Sequence, residues 1–114
     1  MHAVIFEVQP TPEGIDEYLD IAGTLRSELE KINGFISVER FQSMTTEGKL
    51  LSLSFWESEM AIQEWRKQIK HQNAQSKGYN ELFADYRIRV AEVIRDYTMT
   101  DRDQAPQSTP ATDP

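Results

Sequence analysis

Apolar and polar residues alternate from Ala3 to Gln9, with Val4, Phe6 and Val8 on one side and Ala3, Ile5, Glu7 and Gln9 on the other. That is the period of a β-strand with one wholly apolar and one mixed face. Pro10-Thr11-Pro12 breaks it. Thr11 can cap a helix whose first position suits Pro12, because proline needs no amide partner there. Ile15, Tyr18, Leu19, Ala22, Leu25, Leu29 and Ile32 then recur at steps of three and four, with Gly34 as terminator. Phe35–Gln42 and Lys49–Trp56 read as two strands of a hairpin whose loop holds Thr45, Thr46 and Gly48. In the second, Leu51, Leu53 and Phe55 form one face, and Leu50, Ser52, Ser54 and Trp56 the other. Ser58 can cap a second helix with the stripe Ala61, Ile62, Trp65 and Ile69, polar from Lys70 to Lys77 and ended by Gly78. A last strand is predicted from Ala84 to Tyr97, long enough to require a bulge or bend.

The order βαββαβ predicts an α+β, ferredoxin-like fold: a four-stranded antiparallel sheet with two helices on one face. Two helices cover one face, yet strands one, three and four carry large apolar residues on both. A bare apolar sheet face is an aggregation liability, so a homodimer with sheets packed face to face is expected.

Length and composition narrow the classes. The 114 residues suit one domain, read as a body over residues 1–99 and a flexible tail over 100–114. That tail has three of the five prolines and no apolar residue larger than alanine, too little to offset the entropy of ordering. The net charge of −7 repels polyanions, which argues against a nucleic-acid partner. Apolar runs such as Ala3–Phe6 fall far short of the ~18 residues a membrane span needs, so no membrane partner is expected. There is no cysteine and no basic-then-apolar leader, and a cytoplasmic location is expected. No Gly-rich phosphate loop or dinucleotide fingerprint occurs, so no nucleotide cofactor is expected. Glu57, Glu59 and Glu64 lack a convergent histidine, so no metal site is expected.

The stretch from Ser52 to Trp65, SLSFWESEMAIQEW, ends strand three on one tryptophan and places a second inside helix two. With the element order, it resembles the antibiotic biosynthesis monooxygenase (ABM) family of dimeric α+β barrels, which includes quinol monooxygenases and haem-degrading enzymes. The resemblance implies a small hydrophobic or aromatic molecule held between sheet and helices. It would lie on the mixed face with Ser52, Trp56 and, if the strand parities agree, Glu7, beneath a lid formed by Trp65. The quinol-oxidising pattern of Asn, Trp and Tyr falls on Ser52, Trp56 and Ile62. Only the tryptophan is kept, serine is a shorter hydrogen-bonding substitute, and Ile62 cannot polarise a phenol. The haem-degrading pattern falls on Glu7, Trp65 and Gln75, so the axial histidine is absent. His71 lies ~120° around a continuous helix from Trp65 at 100° per residue, and would enter the pocket only through a helix break near Lys70.

The leading expectation is thus a monooxygenase without a bound cofactor. His71 would take a phenolic or activated C–H proton, Ser52 would hydrogen-bond a substrate oxygen, and Trp56, Trp65 and Ile62 would hold the ring. Haem binding with ring opening, or a non-catalytic binding module, are the alternatives. Each residue also has a plainer role: core packing for the tryptophans, a solvated helix end for His71, and for Glu7 an ion pair with Arg87 or Arg89.

Overall fold

The described residues of the computed structural model are 1–75 and 82–106, with the backbone alone for 70–75. The elements run β1 His2–Pro10, α1 Ile15–Leu29, β2 Phe35–Gln42, β3 Leu50–Trp56, α2 Glu59–Gln75 and β4 Phe83–Glu92. All neighbouring strands are antiparallel, in the order β2-β3-β1-β4, the ferredoxin-like arrangement expected.

Both helices pack on one face of this sheet and divide its core into two clusters. Leu29, Ile32, Trp56, Ala61 and Ile62 make one, flanked by Val4, Phe35, Val38 and Trp65. Val8, Tyr18 and Leu82 make the other, flanked by Phe6, Ile21, Leu50 and Phe83. The Ser58 hydroxyl accepts from the Ala61 amide at 3.2 Å, the expected cap of α2. Gly34 has φ +97°, and its carbonyl accepts from the Glu57 amide at 2.7 Å, tying the start of β2 to the end of β3. A Cβ on Gly34 would stand 2.8 Å from that of Ala61, so only glycine satisfies both the backbone angle and the close approach of α2.

Two boundaries and one helix position differ from the sequence reading. Thr11 does not cap α1. Its amide is held by the Leu82 carbonyl at 2.7 Å, and its hydroxyl accepts from the Gly14 amide at 3.0 Å, so a turn precedes the helix. Leu19 is 45% exposed, while Ile21 packs into the core in its place. β4 stops at Glu92 rather than Tyr97 because its ladder partner β1 ends opposite, at His2. A strand without a neighbour's amides and carbonyls has no ladder to continue. The expected irregularity appears as a register shift at Gln9/Pro10 in the β1–β4 pairing. The expected end of α2 at Gly78 lies outside the described residues. No described helix is long and apolar enough to cross a membrane.

Candidate functional site

Residues paired across antiparallel strands point to the same side of the sheet, so the registers decide which side chains lie beneath the helices. One row runs Arg40, Ser52, Phe6, Ile88 from β2 to β4, and the next runs Val38, Ser54, Val4, Val90. These rows form the floor of a cavity of about 460 Å³ between sheet and helices, within the range usual for small-ligand sites. Tyr18, Ala22, Leu25 and Leu29 of α1 and Ile62, Trp65, Arg66 and Ile69 of α2 complete its walls. On the β1–β4 side, Phe6, Phe83 and Tyr86 meet edge to face, with centroids 5.9–6.1 Å apart. On the β2–β3 side the lining turns polar, with Arg40, Ser52 and Ser54. Among the described residues helix cover stops short of β4, where Tyr86, Ile88 and Val90 are exposed at the open side of the cavity.

Four of the six expected site residues line this space: Ser52, Trp56, Ile62 and Trp65. Trp56 is 1% exposed and donates from Nε1 to the Ser54 hydroxyl at 2.9 Å, so it is core and cavity wall at once.

Glu7 is a correction. It pairs with Leu51 and Arg87, which puts it on the face away from the helices, while Val4, Phe6 and Val8 take the inner face. The expectation that Glu7 joins Ser52 and Trp56 required the mixed face of β1 to match the mixed face of β3, and the register pairs them the other way. Its carboxylate instead lies 3.5 Å from both Lys49 Nζ and Arg89 Nη1.

The backbone of α2 continues without a break to Gln75, so the break near Lys70 that would bring His71 inward is absent. The side chains of His71 and Gln75 lie outside the described residues. No carboxylate is among the described residues lining the cavity.

A family model for antibiotic biosynthesis monooxygenase matches residues 1–77. The chain belongs to the antibiotic biosynthesis monooxygenase family. Within it, the chain is 46% identical over 93 residues to a protein of Pyricularia oryzae named jasmonate monooxygenase ABM, covering 82% of this chain and 43% of that one. It spans about half the length of the curated relatives it matches. Its fold is similar to that of Rv0793 from Mycobacterium tuberculosis, at TM-score 0.72 and 18% identity over 85% of this chain and 98% of that one. It is similar too to the haem degrader MhuD of the same organism, solved with two haems, at TM-score 0.67 and 16% identity over 86% and 100%.

Several cavity residues of this ABM chain escaped the sequence reading: Arg40, Arg66, Phe6, Tyr18 and Tyr86. A signal existed for two of them. Arg40 shares strand parity with Val38, and Arg66 follows Ile62 by four and Trp65 by one on the apolar stripe. For Glu7 the new position carries a prediction. A half-exposed ion pair contributes no more than about 1 kcal/mol. Glu7→Gln is therefore expected to lower the melting temperature by only a few degrees and leave ligand affinity unchanged, as thermal denaturation and titration calorimetry would measure; a several-fold loss of affinity would contradict the assignment of faces.

Proposed function

We propose that this ABM-family chain is a monooxygenase that oxygenates a small, largely apolar molecule held between sheet and helices, without a bound cofactor. The observation that carries the proposal is the cavity, with aromatic walls and a narrow polar strip at Arg40, Ser52 and Ser54. Such a lining holds a flat ring by area and fixes its orientation by one or two hydrogen bonds. Ser52 hydrogen-bonds a substrate oxygen, and Trp56, Trp65 and Ile62 confine the ring. The relative named for jasmonate, at 46% identity, supports both the reaction class and a substrate of this size.

The reaction proposed converts an activated CH2 to a carbonyl. Loss of a proton leaves a carbanion, which passes one electron to O2. The radical and superoxide combine as a hydroperoxide, and loss of water gives the ketone, so one O2 is consumed and its second oxygen leaves as water. The continuous helix α2 favours water over His71 as acceptor of the first proton. Incubation with anthrone, a naphthoquinol and jasmonate under 18O2 tests the proposal by mass spectrometry. One labelled oxygen per product molecule is expected. Absence of product from all three, with ligand binding intact, would leave a binding module instead. Slower turnover by a folded His71→Ala variant would reassign the proton to the imidazole. The haem reading is weakened by Gln75 at the axial position and by Glu7 facing away from the cavity, and a Soret shift on haem titration would restore it.

We infer further that the chain acts as a homodimer closed across the sheet face that bears no helix. Ile5, Leu51, Leu53 and Phe55 share that face with Phe41, which is 43% exposed. An apolar surface rimmed by the Glu7, Lys49 and Arg89 charges is suited to a self-complementary partner.

A further inference from the structure

Arg40 projects from β2 into the cavity, and its Nε is buried with no hydrogen-bond partner among the described residues. Buried donors are almost always satisfied, and a guanidinium keeps its charge at any pH a protein survives. Ser52, its cross-strand partner, lines the same wall. Arg66 of α2 adds a second guanidinium to the lining, to which no aspartate or glutamate among the described residues contributes. The cavity thus concentrates positive charge in a chain whose net charge is −7.

The arrangement is also polarised. The Arg40, Ser52, Phe6, Ile88 row places the charge at the β2 end and apolar groups at the β4 end, where Phe6, Phe83 and Tyr86 cluster. We propose that the substrate is an apolar carboxylate, bound with its carboxylate on Arg40 and Ser52 and its ring or chain against Phe6 and Tyr86. This rests on the reading of the cavity as the substrate site, and it adds the charge and the direction of the molecule. A carboxylate matches the planar fork of a guanidinium better than a single phenolic oxygen does, and it satisfies the donor that no described residue pairs. The reacting carbon then lies toward the β1–β4 side, away from the anchor.

The test is binding, independent of turnover. Titration calorimetry compares 1-naphthylacetate with 1-naphthylacetamide, a neutral ligand of nearly the same shape, on the unaltered protein and on Arg40→Met and Arg40→Lys. The unaltered protein is expected to favour the acid by at least about tenfold, the scale of a charge-assisted hydrogen bond. Arg40→Met loses that preference while still binding the amide, which shows that the variant is folded and the cavity intact, and Arg40→Lys keeps part of it. Equal affinity of the unaltered protein for acid and amide, no measurable binding of the acid, or an undiminished preference in Arg40→Met overturns the proposal. Binding of the acid with no oxygenation of any substrate would sink the monooxygenase reading alone. Oxygenation of anthrone without a preference for the acid would sink this inference alone.

Discussion

Trp56→Ala is expected to cost about 3–5 kcal/mol of folding stability, the range for removing a large aromatic side chain from a core. The indole is 1% exposed, packs against Leu29, Ile32, Ala61 and Ile62, and meets Phe35 edge to face at 5.3 Å and 75°. It fastens the end of β3 to both helices, so no single neighbour can move in to fill the space. In a domain of this size that cost lowers the melting temperature by roughly 12 °C or more, and it takes a large share of the 5–15 kcal/mol that a typical domain possesses. Trp56→Phe separates packing from hydrogen bonding. It keeps most of the ring but removes the donor to the Ser54 hydroxyl, itself buried, for an expected cost of about 1–3 kcal/mol. Thermal and chemical denaturation measure both. A Trp56→Ala protein as stable as the parent would mean that the indole is a cavity lining and no part of the core.

Leu53→Asp is expected to abolish the inferred dimer while leaving the subunit folded. Leu53 pairs with Ile5 on β1 and Glu39 on β2 and faces away from both helices, so a carboxylate there stays hydrated in a lone chain. In a twofold interface the same substitution enters twice. Each unpaired charge loses water at a cost of at least about 2 kcal/mol, and two of them weaken association by roughly a thousandfold. Sedimentation velocity at micromolar concentration should then show a dimer for the parent and a monomer with an unchanged circular dichroism spectrum for the variant. A parent that sediments as a monomer, or a variant that still pairs, would refute face-to-face packing.

These two side chains show how the alternation within β3 was legible without coordinates. Trp56 and Leu53 differ by an odd number of positions, so they had to face opposite sides of the sheet. Helix positions followed the same way from the 3.6-residue period, which placed Ile62 and Trp65 on the packed stripe of α2. The boundaries were less legible because they depend on partners distant in sequence. Thr11 looked like a helix cap, but its amide is held by Leu82, and β4 ends where β1 leaves it without a neighbour.

The sequence by itself determined the order of elements, the parity of residues within each strand, the membership of the family and four of the residues that line the cavity. Only the tertiary structure decided how one strand's parity meets another's. A shift of one residue in register exchanges the two faces of a strand, and that register is set by packing between segments some fifty residues apart. For that reason Glu7, which the alternation alone left free to join Ser52, lies among the charges of the outer face, and Arg40, unremarkable in the sequence, stands beside Ser52 with a donor that no described residue pairs.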